Sequence, residues 1–163
     1  MKMTSLEDLY MADLQDMYDA EHQITEALPK MIKAASSTQL KTGFEKHLKQ
    51  TEEQIRRLET VFKNHGAKAE RKACKAMKGL IAEGDEIMKE KASPDVLDAA
   101  LIGAAQKVEH YEIASYGTLR TYAQLLGFRD DASQLDATLQ EEGTTDKELT
   151  RMATMINVRA EEA

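Results

Sequence analysis

The sequence predicts an all-α protein: a four-helix bundle with one additional short crossover helix, five helices in a single domain spanning 1–163. Three observations carry this. Two prolines, eight glycines, no Trp and three Phe leave little turn chemistry or aromatic mass for a sheet, whereas Ala, Leu, Glu, Lys and Met favour helix. Apolar residues recur at helical spacing through long stretches of the chain. The connections alternate short, long, short, as a bundle of two hairpins joined by a crossover requires.

The first helix opens at Ser5, where Ser5-Leu6-Glu7-Asp8 offers an N-cap with acids in the first turn. Its apolar stripe runs Leu6, Tyr10, Met17, Ile24, Leu28, Met31 and Ala35. Pro29 leaves the phase of that stripe intact, so one kinked helix is expected rather than two. Ser36-Ser37-Thr38 forms a short turn. The second helix shows Phe44, Leu48, Ile55, Leu58 and Phe62 on one face and stops near Asn64-His65-Gly66. A shorter amphipathic segment covers residues 70–91. Ser93-Pro94-Asp95 then supplies an N-cap, a first-position proline and a first-turn acid for the next bundle helix, which ends at Gly127. The last helix runs from Asp130 to Val158, with Arg159 to Ala163 expected to fray.

Acids interrupt these stripes. Leu101, Ala105, Val108, Leu119, Ala123 and Leu126 share one face, and Glu112 falls in the middle of it with Glu109 on its flank. On the last helix, Glu142 and Asp146 share the face of Leu135, Leu139, Leu149 and Ala153. The first helix contributes Glu21, while Asp19 and His22 are expected to point away. The second contributes His47, Thr51 and Gln54. Glu21 and Glu112 each lie roughly 15 residues, or about 23 Å of helix, before the turn that ends their hairpin stroke. His47 to Gln54 and Glu142 to Asp146 return to similar depth. All four helices therefore place polar residues in one layer.

A buried unpaired carboxylate must be protonated, hydrogen-bonded, paired or bound to a cation. Glu21, Glu109, Glu112, Glu142 and Asp146, with His47 and Gln54, make an oxygen-rich ligand set that suits up to two iron or manganese ions per chain. Each piece has a plainer reading. A lone stripe Glu can pack its stem and send its head to water. A core histidine can simply bond a backbone carbonyl. A hydrogen-bonded polar layer that fixes helix register would make this a non-enzymatic interaction protein.

Other residues read as structural. The nine Met residues mostly follow core spacing and read as gap-fillers. Cys74 reads as a small packed hydrophobe, and Tyr18, Tyr111, Tyr116 and Tyr122 as core filling near the layer. Gly117 and Gly143 are placed to allow close helix approach or solvent entry. Glu141 points away from the last helix's stripe.

The net charge of −7 argues against nucleic acid as a partner. Lys30 to Lys78 nevertheless holds 13 Lys and Arg against 5 Asp and Glu, a local excess of +8 that reads as a solvated basic face. One cysteine excludes an intramolecular disulfide and fits a reducing compartment. Met1-Lys2-Met3-Thr4-Ser5 lacks the apolar run of a signal peptide, and no stretch is apolar and long enough for a bilayer, so a cytoplasmic location is expected.

Four segments resemble a known family: Tyr18-Asp19-Ala20-Glu21-His22-Gln23, His47-Leu48-x-x-Thr51-x-x-Gln54-Ile55, Cys74-x-Ala76-Met77-x-Gly79-Leu80-Ile81-x-Glu83, and the run Ala104 to Gly117 containing Glu109-His110-Tyr111-Glu112. They are similar to the YciE/YciF family of bacterial ferritin-like stress proteins. The resemblance implies a ferritin-like bundle, a homodimer, and a di-iron site like that of rubrerythrins, whose third bundle helix also carries a Glu-x-x-Glu pair. It implies no established reaction; taken with the carboxylate layer, the favoured expectation is a metal-binding stress protein that handles iron, oxygen or peroxide. Two departures from the usual Glu-x-x-His ligand pattern stand out. The last helix reads Glu142-Gly143-Thr144-Thr145-Asp146 without histidine, and the second helix has no inward Glu, with Gln50 where relatives often carry an acid.

Overall fold

In a computed structural model, described over residues 3–163, the chain forms α1 (Leu6–Ala34), α2 (Thr38–Asn64), α3 (Lys75–Ile87), α4 (Pro94–Leu125) and α5 (Arg129–Glu162). Met1 and Lys2, part of the segment read as lacking a leader, lie outside the described residues.

Local chemistry sets the boundaries. Ser5 caps α1 in a full capping box: its hydroxyl accepts from Asp8 N, and the Asp8 carboxylate accepts from Ser5 N at 3.0 Å. Pro29 sits inside α1 without dividing it. Positive φ appears only at Gly66 (61°) and Gly127 (81°) among the described residues, just past the ends of α2 and α4, where a side chain would be strained.

Two buried aspartates tie the hairpins together at opposite ends. Asp98, in the first turns of α4, accepts from the backbone N–H groups of Ser36 and Ser37 at 2.7 Å each, so α4 begins at the α1–α2 turn. Asp131, in the first turn of α5, accepts from Tyr10 (3.0 Å) and Asn64 (2.8 Å) and lies 2.6 Å from His65 Nε2, beside the start of α1 and the end of α2. Consequently α2 and α4 run parallel, and α3 carries the chain back along the bundle. The result is a ferritin-like four-helix bundle with α3 laid over α1 and α4.

Two boundaries differ from the sequence reading. The crossover helix is shorter than residues 70–91 because Asp19 captures the preceding strap. Its carboxylate accepts from Arg71 Nε and Cys74 N at 2.8 Å each, which fixes Cys74 as the N-cap of α3. Asp19 thus faces α3 and is buried rather than pointing away. At the other end, α5 continues to Glu162 instead of fraying after Val158. Buried Met152 and Ile156 anchor its last turns, and no helix breaker follows them. No helix of the described residues is long and apolar enough to cross a membrane.

Candidate metal centre

At mid-bundle the four long helices each deliver polar side chains into the core. Glu21 comes from α1, His47, Thr51 and Gln54 from α2, Glu109 and Glu112 from α4, and Glu142 from α5; all are buried. The spacing that puts Glu109 and Glu112 one turn apart also puts both on the face that packs inward. His47 stands between two helices: its Nδ1 is 3.1 Å from Glu109 Oε1 and its Nε2 is 3.6 Å from Glu142 Oε2. One ligand atom from each of His47, Glu109, Glu112 and Glu142 lies within 4.8 Å of the others.

Hydrogen bonding satisfies only the rim of this cluster. The Tyr116 phenol donates to Glu21 Oε1, and the Gln54 amide donates to Glu142 Oε1. The same amide donates to Glu141 Oε2 at 3.1 Å. Thr51 spends its hydroxyl on the His47 carbonyl at 3.0 Å, one helical turn back. Left without a partner are both carboxylate oxygens of Glu109 and of Glu112, together with Glu21 Oε2, Glu142 Oε2 and His47 Nε2. Most buried polar atoms in folded proteins are bonded, so such a concentration calls for a specific cause.

Electrostatics point the same way. Burial, and then the charge of Glu142, push the Glu21 carboxyl up to about 8. Burial and the same neighbour hold Glu109 and Glu112 well above the usual carboxylate range. Burial also lowers the affinity of His47 for a proton, which keeps its ring neutral. Without a counter-ion the acids retain protons, and a cation would take the protons' place. The donors fit a hard or borderline divalent ion: carboxylates dominate, one imidazole joins them, and thiolate is absent. Cys74 is elsewhere, capping α3 and lying 3.1 Å from the Tyr111 hydroxyl.

Of the residues expected from sequence, Glu109, Glu112, Glu142 and His47 are brought into one group, with Glu21 and Gln54 beside it. Asp146 is not brought in. It sits partly exposed at the edge, accepting from Gln106 at 3.1 Å and facing His110 at 3.2 Å. Its position four residues after Glu142 leaves it off the centre of the inward face.

Glu141 does not point freely to water either. Arg57 grips its two oxygens at 2.7 and 2.8 Å, an ion pair that holds this carboxyl low against the opposing effect of its burial. Sequence reading missed Arg57, although its place three residues after Gln54 puts it on the same side of α2. Gly117 and Gly143 face open space, where an added Cβ would meet nothing within 4 Å, so neither is needed for close helix approach.

Fold and cluster together define a helical-bundle protein of the ferritin-like class with a carboxylate-rich core. The comparison with known families is direct. Residues 5–161 match the family described as a domain of unknown function, DUF892, and the chain belongs to that family. It is 47% identical to Protein YciF of Escherichia coli (strain K12) over 163 residues, 99% of this chain and 98% of that one. The crystal structure of the E. coli stress protein YciF superposes with a TM-score of 0.92 at 46% identity, over 94% of this chain and 98% of that one. The YcfI structure from Rhodopseudomonas palustris gives 0.90 at 46% identity, over 91% and 95%. A Xanthomonas campestris protein gives 0.80 at 21% identity over 97% of each chain, a likeness of fold alone.

Proposed function

We propose that this chain is a cytoplasmic metal-binding protein whose core holds up to two iron or manganese ions and serves in handling iron, oxygen or peroxide under stress. The observation that carries the reading is the set of buried, unpartnered carboxylate oxygens on Glu109, Glu112, Glu142 and Glu21, around a histidine nitrogen that is also free. In this reading Glu109, Glu112, Glu142 and His47 hold the metal, and Glu21 completes the oxygen donors. Gln54 orients Glu142, Tyr116 orients Glu21, and Asp146 stays at the edge. Bound iron would supply redox chemistry toward oxygen or peroxide, and the chain's own residues would supply a water-poor, charge-balanced core. The chain acts as a homodimer in this proposal, which its mass in solution tests.

Anaerobic titration of dialysed protein with ferrous ion tests the metal. Saturable uptake of up to two ions per chain is expected, with manganese competing better than zinc. Absence of saturable uptake would sink the proposal.

A second reading is favoured by one observation, the bonded chain Arg57–Glu141–Gln54–Glu142 linking α2 to α5. If the entire layer served in this way to fix helix register, the protein would be a non-enzymatic interaction module, and metal would add nothing to its stability.

A further inference from the structure

α3 covers the bundle thinly. Only Met77 and Gly84 of this helix are buried; Leu80, Ile81 and Ile87 are half-buried, and Ala76 and Ala82 are exposed. Beneath it, between α1 and α4, lies a space of about 40 Å³ open to the centre of a water-sized sphere. Its walls are Ile24 and Leu28 from α1, Leu80 and Ile81 from α3, and Ala105 and Val108 from α4. Gly84 keeps the roof narrow: a Cβ there would lie 3.9 Å from Ala104 Cβ.

The ends of this space differ. At one end are His47 and Glu109, 3% and 0% exposed. Toward solvent are half-buried Met31, Met88 and Asp85, with Asp85 3.5 Å from Lys30 at the rim. The duct therefore runs from the surface under α3 to the His47–Glu109 side of the carboxylate cluster.

We infer that this space is a binding cavity for a small, neutral, apolar molecule of the size of a diatomic gas, seated against His47 and Glu109. Size and lining decide the class of ligand. One water needs about 10–15 Å³ by this measure and two to four polar partners, so the volume admits a few small atoms, yet between His47 and Glu109 at the inner end and Asp85 at the mouth the walls are apolar and offer almost nothing to bond water. Apolar walls of this kind favour uptake of gases such as xenon over water. Charged or strongly hydrated species would have to shed their water to pass Ile81 and Val108. The methionines at the mouth can move aside without losing polar contacts. The cavity stands on its own walls; only its role as a route for a reactive gas to the centre rests on the metal reading.

Xenon is the probe, applied to crystals of the metal-free full-length protein under pressure. A single xenon site is expected between Ile24, Ile81 and Val108. Ala27 lies on the same α1 wall, so Ala27→Leu on α1 and Val108→Phe on α4 each push side-chain volume into the space from different walls and should abolish that site. Ordered water in place of xenon in the unmodified protein would overturn the inference. So would xenon retained undiminished in whichever of the two variants folds. The readout requires no metal, so a failed ferrous titration beside a positive xenon site would reject the metal and leave the cavity standing.

Discussion

His47 Nδ1 approaches Glu109 Oε1 to 3.1 Å, yet neither oxygen of Glu109 has a hydrogen-bond partner. Side chains that serve one another aim their donors and acceptors along a line. These two converge without such a bond, and both oxygens of Glu112 and one of Glu142 are likewise unpartnered nearby. In the proposed reading this convergence serves a shared cation, the body that carboxylates and a neutral imidazole would hold.

Glu112→Ala should sharply weaken metal binding while leaving the metal-free protein folded and more stable. Both oxygens of Glu112 are buried without partners, and each such polar atom costs about 1–3 kcal/mol. Relief of one such penalty raises the melting temperature by about 2–4 °C per kcal/mol in a chain of this size. Glu86, exposed on α3, serves as the neutral control; Glu141 would not, because Arg57 holds it. A loss of several kcal/mol in the metal-free variant, read by thermal melting, would move Glu112 into a structural network.

Stability of the metal-free form should fall as pH rises from about 4.5 to about 8, the ordinary and the folded values for Glu21. An acid whose folded value is raised favours folding fully below its unfolded value, and that advantage is lost as pH passes the folded one. Glu109 and Glu112 act in the same direction. Metal needs the deprotonated acids, so its stabilising effect should grow over the same window. Melting curves with and without manganese at both ends of the range check this. A gap of equal size at the two ends would count against the cluster.

Gln54→Glu should strengthen metal binding and weaken the metal-free fold. Gln54 is the position on α2 that touches both Glu141 and Glu142. A carboxylate there supplies the inward acid that α2 lacks. It also exchanges two donated hydrogen bonds for repulsion, at a cost of about 1–3 kcal/mol. Denaturant unfolding and anaerobic manganese titration should therefore move in opposite directions.

Asp98→Ala should destabilise the protein with or without metal by about 2–3 kcal/mol, because two backbone donors lose a buried charged acceptor. Its partners are the N–H groups of Ser36 and Ser37, remote in sequence and at the end of the bundle. Urea unfolding measures the loss. An unchanged metal affinity in the folded variant would confirm that the end clamp and the central layer are independent.

Much of this molecule was legible in its sequence because helical periodicity converts directly into facing. Glu112 and Glu142 were visible as acids on apolar stripes, and equal distance from two turns brought them together with Glu21 and His47. The strap at residues 70–74 was not legible, because the Asp19 that shortens α3 acts across 55 positions. Periodicity gave Asp19 an outward direction relative to α2 and α5, and it could not show that the crossover would lie on that side. Asp146 lies at the edge of the group for a subtler reason: four residues after Glu142 keeps a side chain on the same face without aiming it at the same point. Arg57 was passed over because a basic residue next to a core face reads as solvated until its acid is seen opposite.

The Asp19 clamp has a consequence for the order in which the chain assembles. The α1–α2 and α4–α5 pairs join neighbours in sequence and close short loops, contacts that form early. The start of α3 is held by groups from the middle of α1: Asp19 takes Cys74 N, and Gln23 donates to the Cys74 carbonyl at 3.1 Å. That grip needs α1 to be formed, and α3 packs in addition on α4 from the second hairpin, so the crossover is expected to dock last. Asp19→Ala is therefore expected to speed unfolding while leaving the folding rate nearly untouched, which stopped-flow measurements in urea would read as a change in one arm of the chevron alone. A slower folding arm would place the clamp in the nucleus instead. Where the clamp is late, amide hydrogens of α3 would exchange through partial openings that leave the other four helices closed.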